Sequence, residues 1–476
     1  MTQNHDSKSL PNASGLLSRN AIGQKKVLYL DATGILDIAG NQPSGIPRVQ
    51  QFLVEQAIKD TDDQIGLILF DRWTSKFRSL SENEISLLLF SDKNSAVRLA
   101  RAEPRSIRLM LTIIRRIREN PQLGKEFDRA MAVKLTNNRH SGFYYFVSKT
   151  IVRAYRYYWK TLHFWGKSSR NEEPDLKDSL VLLSHTTISG SLFPKATAAT
   201  TNRAFICHDV IPWLYPELVF SQTNAQRIVS QLGLLLQSGV HALCTSGTSR
   251  AMLEQFIHEV GETFVRIDRF PLPSILYEKA KSLDRLARIE PEIPFIIYCS
   301  TIEVRKNHLL LAKIWKQAHD EGVELPKLVC VGKWGWGVET LQAYLDAHPY
   351  IAEQIDFVGA IDDYELIDLY RSALFGVMPS FVEGWGMGAT ECLDFGVPVI
   401  VSTAPGLTEA VRGLMPAIDP NDHVAWYAQI RRLAEDETER GALHTKITDR
   451  YRPISCRESW VAIKTALLQP NSQARQ

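Results

Sequence analysis

Two glutamates stand close together in a glycine-rich stretch, FVEGWGMGATECLDFG, over residues 381–396. Seven residues separate Glu383 from Glu391, and three of these are glycines. The flanking runs ALFGVMPS and VPVIVST predict a strand, a glycine-rich loop, a helix ending near Gly396 and a second strand. Open α/β sheets bind ligands at such loops, and a helix start favours an anion such as a diphosphate. The stretch therefore predicts a site where the two carboxylates accept hydrogen bonds from ligand hydroxyls; two solvated surface acids are the alternative.

A basic pair, Arg305 and Lys306, follows the apolar run FIIYCS, at the predicted end of another strand. A guanidinium fork and an ammonium charge suit the negative charge that grows on a departing diphosphate. The alternative for this pair is a solvated basic turn.

A histidine, His208, follows the apolar run AFIC and is predicted to emerge at a strand end that faces a cleft. Its ring can hydrogen-bond a hydroxyl, and Asp209 next to it is predicted to orient it. A purely structural histidine is the alternative.

Short apolar runs alternate with helix-compatible segments in both halves of the chain, and they predict the elements that position these residues. The C-terminal runs are PFIIYCS, PKLVCVG, QIDFVG, ALFGVMPS and VPVIVST, and the N-terminal runs are KVLYLDA, IGLILFD, LVLLSH, RAFICHD and HALCTS. Runs of this kind are typical of parallel sheets covered on both faces by helices. We therefore predict an α/β fold of two Rossmann-like domains that face each other across a cleft.

The predicted domain boundaries follow from a proline-punctuated connector, FPLPSILYEKAKSLDRLARIEPEIP. Residues 1–26 are predicted to be a disordered tail, and residues 27–286 to be the N-terminal domain. Residues 287–455 are predicted to be the C-terminal domain, and residues 456–476 a helix and a tail.

Composition places the chain among ordinary globular proteins. The 476 residues are 45% hydrophobic and 23% charged. The six cysteines lie far apart in sequence, which favours thiols in a reducing compartment over a disulfide scaffold. No apolar stretch is long enough to span a bilayer. We therefore expect a cytoplasmic protein, or one that is peripheral on the cytoplasmic face of a membrane.

A basic, aromatic segment lies at about residues 97–170. Seventeen lysines and arginines against four acidic residues give it a net charge of +13, whereas the whole chain carries only +2. Cationic and aromatic stretches suit the interface of an anionic membrane, where a lipid-linked acceptor would lie. A basic face packed on the N-terminal core and a nucleic-acid surface are the alternatives, and no nucleic-acid motif accompanies the segment.

No metal is expected. The only Asp-x-Asp triplet, Asp60 to Asp62, follows a helix-like segment and opens a polar connector, so it is interpreted as a solvated loop. No His/Cys cluster has the spacing of a zinc site.

The motifs, taken in order, resemble those of the retaining GT-B glycosyltransferases of family four, also described as glycosyl transferases group 1. The resemblance is to the mannosyltransferase-like members that act in bacterial surface polysaccharide synthesis. It rests on the spaced glutamates and on six further segments: YCSTIEVRKNHLLLAKIW, LVCVGKWGWG, QIDFVGAIDDYELIDLYRSA, HDVIPWLYPEL, TSGTSRAMLEQF and SGIPRVQ.

The resemblance implies a role for each matching position. The implied catalytic residues are His208, Glu383, Arg305 and Lys306. The implied donor-binding residues are Glu391 on the ribose, together with Gly384, Trp385, Gly386, Met387, Gly388, Thr301, Gly332, Lys333, Val358 and Gly359. The implied acceptor or phosphate loop comprises Gly45, Ile46, Arg48 and Asp209, although a plain turn is the alternative at Gly45 and Ile46. The last helix is expected to cross back onto the N-terminal domain.

The expected activity is transfer of a sugar, with retention, from a nucleotide-sugar such as GDP-mannose to a growing, lipid-linked glycan. Neither a cofactor nor a nucleic-acid partner is expected. The rivals are an inactive membrane scaffold of the same fold, and a sugar phosphorylase, which would need a pyridoxal-binding lysine that the sequence does not identify.

Overall fold

The computed structural model describes residues 28–36, 45–60, 62, 64–71, 75–80, 174–177, 179–189, 193–219, 221–237, 239–261 and 265–468. All of these residues belong to one compact unit. The predicted N-terminal tail, the basic segment at 97–170 and the residues beyond Leu468 lie outside the described residues.

The part of the first sheet that the structure describes has seven strands, in the order β3-β2-β1-β4-β5-β6-β7. They are β1 Leu28–Asp31, β2 Ile65–Asp71, β3 Lys76–Ser79, β4 Leu180–Leu183, β5 Arg203–Cys207, β6 His241–Cys244 and β7 Arg266–Arg269. Only the edge strand β3 is antiparallel to its neighbour. Leu28 of the central strand pairs with Ile65 on one side and Leu180 on the other.

The second sheet has six strands in the order β10-β9-β8-β11-β12-β13, and all its pairings are parallel. They are β8 Phe295–Cys299, β9 Lys327–Val331, β10 Ile355–Gly359, β11 Phe375–Met378, β12 Val399–Ser402 and β13 Ala417–Ile418. All ten apolar runs named above form strands, so the two Rossmann-like halves predicted from them are confirmed. The predicted boundary at residue 286 falls between the two sheets.

Helices connect the strands. In the first half they are α1 Thr33–Leu36, α2 Ile46–Lys59, α3 His185–Ser189, α4 Phe193–Ala198, α5 Ile211–Leu214, α6 Gln222–Leu236, α7 Gly247–Val260 and α8 Ile275–Ser282. In the second half they are α9 His308–Asp320, α10 Glu339–Ala347, α11 Asp363–Ser372, α12 Met387–Asp394, α13 Pro405–Ala410, α14 His423–Glu435, α15 Glu437–Arg450 and α16 Cys456–Leu468. Within the described ranges, no helix has the length and apolarity needed to cross a membrane.

Both sheets are buried on their two faces. Every residue of β4, β6, β11 and β12 is buried, as expected for parallel strands covered by helices on both sides. The core of the second half contains two fully buried tryptophans, Trp315 of α9 and Trp426 of α14.

The last helix, α16, belongs to the core of the first half. Trp460, Ile463 and Leu467 are buried in one cluster with Leu28 of β1 and Val49 of α2. Because α16 follows the second half in sequence, the chain crosses between the halves twice, as the resemblance implied.

Candidate active site

Three charged side chains from two loops converge at the carboxyl edge of the second sheet. Arg305 and Lys306 follow β8, and Glu383 follows β11. The Arg305 guanidinium donates to Glu383 Oε2 at 2.7 Å and to the Val382 carbonyl at 2.7 Å. Lys306 Nζ donates to the other oxygen, Glu383 Oε1. The structure therefore brings together three of the four residues predicted to be catalytic.

The turn that carries the two cations is held rigidly. Residues Val304–Lys306 form one turn of 3₁₀-helix, and Asn307 after it has a left-handed backbone with φ of 58°. Asparagine adopts this conformation more readily than most residues. Its side-chain amide donates to the carbonyls of Pro379 at 3.2 Å and Pro420 at 2.9 Å. The turn is thereby tied to the loop that carries Glu383.

The charges in this cluster shift one another's pKa values. Burial alone would raise the pKa of Glu383, but Arg305 and Lys306 bring it down to about 2. Burial, assisted by the charge of Arg305, lowers the pKa of Lys306. Glu383 is therefore a carboxylate at neutral pH, and the cluster can share its cations with an incoming anion.

The second glutamate, Glu391 on α12, has a different set of partners. Its Oε1 accepts from Arg48 of α2 at 2.7 Å, and its Oε2 accepts from the Tyr370 hydroxyl at 2.7 Å. Arg48 also contacts Asp363 at 3.3 Å. The sequence placed Arg48 on an acceptor or phosphate loop, whereas in the structure it lies against the carboxylate predicted to hold the ribose.

The glycines of the loop are required by packing inside the protein. A β-carbon on Gly384 would lie 2.3 Å from the His208 carbonyl oxygen, and one on Gly388 would lie 2.5 Å from the Met378 side chain. A β-carbon on Gly386, whose φ is 109°, would lie 2.5 Å from the Leu407 side chain. We predicted that these glycines allow a ligand to approach the backbone closely. The structure shows that they allow close approach of the protein's own atoms, and access for a ligand stays a prediction.

Trp385 and Met387, two further residues predicted to bind the donor, pack on the apolar cluster of the first half that contains α16. Their observed contacts are thus with the protein core, and a role in donor binding stays a prediction.

Further residues predicted to bind the donor lie near the ends of β8, β9 and β10. Gly332 donates its N–H to the Gly359 carbonyl at 2.8 Å, and a β-carbon on Gly332 would lie 1.8 Å from the Ser300 carbonyl oxygen. Only glycine fits there. The other three predicted residues of this edge are exposed to solvent: Thr301, Lys333 and Val358.

The fourth predicted catalytic residue, His208, lies directly after β5, as expected, and its backbone contacts the loop at Gly384. Burial, reinforced by neighbouring His185, lowers the pKa of His208 to about 3, so the ring is neutral at neutral pH. The two rings stand edge to face, with centroids 6.1 Å apart. Asp209 accepts a hydrogen bond from the Ile211 backbone at 3.1 Å, at the start of α5. The observed bond of Asp209 thus organises a helix start, whereas we predicted that it orients the histidine.

The predicted loop at the start of α2 is the N-cap of that helix. Gly45 has φ of 60°, and its carbonyl accepts from the Arg48 backbone N–H at 3.0 Å. Ile46 is the first residue of α2 and is half-buried. This geometry directs α2 so that Arg48 reaches Glu391.

The Asp60–Asp62 triplet was interpreted as a solvated loop, but the structure gives it partners in α16. Asp60 accepts from the Trp460 indole, and Lys464 Nζ lies 2.8 Å from Asp60 and 3.7 Å from Asp62. Burial would raise the pKa of Asp60, but the hydrogen bonds from Lys464 and Trp460 lower it. Among the described residues, no group of three His, Cys, Asp or Glu side chains could hold a metal ion.

Sequence reasoning missed several residues that join the two halves. Ser246 Oγ donates to the Gly384 carbonyl at 2.6 Å. Glu409 of α13 accepts from the Gly247 backbone at 2.6 Å and from the Thr248 backbone at 2.8 Å, both at the start of α7. The motif TSGTSR contains the donors, but nothing near it in sequence indicates the carboxylate.

Comparison with known proteins supports the assignment of the second half. Residues 284–450 match the family described as Glycosyl transferases group 1. The serotype-specific mannosyltransferase WbdA of Escherichia coli is 25% identical over 290 residues, which cover 56% of this chain and 34% of WbdA. The O-antigen chain mannosyltransferase B of Escherichia coli is 31% identical over 144 residues, which cover 30% of this chain and 38% of that protein. The chain thus matches only a little over a third of the length of either relative.

A solved structure extends the likeness in fold to nearly the whole chain. HepE of Anabaena, in complex with UDP and glucose, is 15% identical with a TM-score of 0.52, covering 94% of this chain and 100% of HepE. At this identity the likeness concerns the fold, and it confirms the predicted GT-B architecture. Over residues 284–450, the chain is therefore similar to the glycosyl transferases group 1 family.

Proposed function

We propose that this protein transfers a sugar from a nucleotide-sugar donor to a glycan acceptor. The observation that carries the proposal is the convergence of Arg305 and Lys306 on Glu383 at the carboxyl edge of the second sheet. Open α/β sheets bind nucleotides at that edge. Two cations fixed there, in a site that is largely closed to water, are placed to stabilise the charge that develops on a leaving diphosphate.

Each group then has a part in breaking the bond between the anomeric carbon and the diphosphate oxygen. Arg305 and Lys306 bind the diphosphate, while Glu383 accepts hydrogen bonds from hydroxyls of the sugar. Glu391 accepts them from the ribose. His208 is neutral and adjacent to Gly384, and it hydrogen-bonds the sugar while the sugar ring gains positive charge. The acceptor oxygen forms the new bond to the anomeric carbon as the bond to the diphosphate oxygen breaks, and the acceptor's proton passes to the departing diphosphate.

The finer assignment follows the resemblance and the named relatives. We propose GDP-mannose as the donor because the two curated relatives described above are named mannosyltransferases. We propose a growing, lipid-linked surface polysaccharide as the acceptor, and the cytoplasmic face of the membrane as the location. Retention of configuration rests on the family resemblance alone. We propose catalysis without a metal because Arg305 and Lys306 supply positive charge where the diphosphate would lie.

A thermal-shift panel of GDP, UDP, ADP and their sugars tests the donor site. A ligand that binds only the folded state stabilises it by ~2.7 kcal/mol at a concentration 100 times its dissociation constant. We expect one nucleotide to raise the melting temperature of the wild type but to have much less effect on Glu391→Ala. Glu254→Ala, which removes an exposed glutamate from α7, is the matched control and should respond like the wild type. Absence of a shift with every ligand would refute the proposed donor site.

A further inference from the structure

The buried ion pair between Arg48 and Glu391 joins residues that are 343 positions apart in sequence. Arg48 lies on α2 in the first half and Glu391 on α12 in the second. Both side chains are at most 10% exposed, and their closest atoms are 2.7 Å apart. The pair is therefore a dry contact between the two halves, at the carboxylate that we assign to the donor's ribose.

Both oxygens of Glu391 already have hydrogen-bond partners. Arg48 donates to Oε1 and the Tyr370 hydroxyl donates to Oε2. A ribose diol would bind Glu391 through the same oxygens, because its two hydroxyls need acceptors. Since Glu391 is only 7% exposed and Arg48 lies 2.7 Å from its Oε1, a diol that binds this oxygen would contact the Arg48 guanidinium.

Arg48 is held by two carboxylates, although one of its own hydrogen-bond donors has no partner among the described residues. Its guanidinium contacts Glu391 and Asp363, and Lys279 lies 2.9 Å from the other oxygen of Asp363. Its Nε atom is buried and has no hydrogen-bond partner among the described residues. Leaving a buried donor unpaired costs free energy, so part of the gain from pairing with Glu391 is offset by that loss. The net stabilisation from the Arg48–Glu391 contact is therefore reduced, and a ligand that donates two hydrogen bonds to Glu391 can replace Arg48.

We propose that Arg48 occupies the ribose-binding position at Glu391 and that the donor must displace it to bind. This inference rests on the proposed function, in which Glu391 is the ribose ligand. It makes Arg48 a residue that sets donor affinity by competition. Because α2 and α12 belong to different halves, displacement of Arg48 also removes one of the contacts that hold the halves together.

Calorimetric titration of GDP and of UDP into Arg48→Ala tests the proposal, at pH 8 so that Glu391 is ionised. Burial raises the pKa of Glu391 and Arg48 opposes that rise, so the carboxyl takes up a proton more readily in the variant than in the wild type. We expect the nucleotide that binds the wild type to bind the variant about tenfold more tightly, since one charge-assisted hydrogen bond no longer has to be broken. Equal or weaker binding would overturn the proposal, because a residue that contacts the donor's phosphates would weaken binding when removed.

A double-mutant cycle makes the competition specific. In the Glu391→Ala background, Arg48→Ala should no longer tighten binding, because there is no carboxylate to compete for. A tightening that persists there would overturn the proposal. Arg250→Ala is the matched control, since it breaks an exposed ion pair of the same 2.7 Å length on α7.

Two further outcomes are informative. If Arg48→Ala does not fold, Arg48→Lys replaces it: the single ammonium group should compete less well than the guanidinium, and binding should be tighter than in the wild type. Failure of GDP and UDP to bind any folded variant would instead refute the proposed donor site itself. Binding by Arg48→Ala but not by the wild type would strongly support the proposal.

Discussion

The carboxyl edges of the two sheets carry different kinds of polar groups. At the edge of the second sheet, Arg305, Lys306 and Glu383 are charged and contact one another. At the edge of the first sheet, Asp31 accepts hydrogen bonds from Ser184 and Thr187, and His208 is neutral. Cationic groups are thus concentrated on the side where a diphosphate would leave. The other side offers an acidic side chain that already has hydrogen-bond partners and a neutral histidine, which suit the hydroxyls of a sugar or an acceptor.

Removal of a cation from the charged edge should have the largest effect. We expect Lys306→Ala to lower turnover by about 10²–10³-fold, the range found when a preorganised group that stabilises transition-state charge is removed. The measurement is release of nucleoside diphosphate from the nucleotide-sugar that the thermal-shift panel selects. Lys316→Ala breaks a lysine–carboxylate pair on the surface of α9 and is the matched control. Unchanged turnover in folded Lys306→Ala would show that the cations at the edge of the second sheet are not needed for catalysis.

Substitution at the neutral edge should cost less. We expect His208→Ala to lower turnover about tenfold, the order expected for loss of one hydrogen bond to a neutral group. Because the pKa of His208 is about 3, its protonation should not affect the wild-type rate between pH 6 and 8. Measured pH–rate profiles of the wild type and the variant should therefore have the same shape. An inflection near pH 6.5 that His208→Ala abolishes would show that this edge also carries charge.

Glu409 caps α7 and so joins the two halves. We expect this contact to affect stability only slightly. A carboxylate at a helix N-terminus contributes about 1 kcal/mol, and the Glu409 side chain is 31% exposed. We expect Glu409→Ala to lower the melting temperature by about 2 °C. Glu435→Ala, which removes an exposed ion pair on α14, should leave it unchanged. A drop of 10 °C or more in the melting temperature would mean that the contact of Glu409 with α7, and not the shared core, holds the two halves together.

Removal of metal ions should have no effect. We expect EDTA to leave turnover unchanged because two protein cations supply the positive charge at the diphosphate. The measurement is turnover with EDTA and after addition of Mn²⁺ or Mg²⁺. Loss of activity in EDTA that a divalent ion restores would contradict the expectation. Asp60→Asn should destabilise the contact with Lys464 without creating any metal dependence.

The sequence predicted those features that depend on neighbouring residues. Each buried strand is a short apolar run between polar segments, so all ten runs could be recognised. The positions of Arg305 and Lys306 after β8, and of Glu383 after β11, could be predicted because each follows an apolar run within a few residues. Two strands that are adjacent in a parallel sheet bring their carboxyl ends together, as β8 and β11 do.

The sequence did not predict contacts that depend on how the two halves pack. Arg48 was predicted to contact the phosphates or the acceptor, but its partner in the structure lies 343 positions away on the other half. The glycine-rich loop suggested access for a ligand. Its packing role could not be predicted, because the packing partner of Gly386, Leu407, is not evident from the motif. The Asp60–Lys464 contact requires that the last helix return to the first half, and no local pattern at Asp60 indicates this.

The return of α16 to the first half affects how the chain folds during synthesis. A ribosome completes β1 to β7 long before it makes α16, and during that interval the apolar surface around Leu28 and Val49 lacks the cover of Trp460 and Ile463. The first half to be translated is therefore the last to complete its core. Until α16 is made, this uncovered apolar patch is a binding surface for chaperones and a starting point for aggregation.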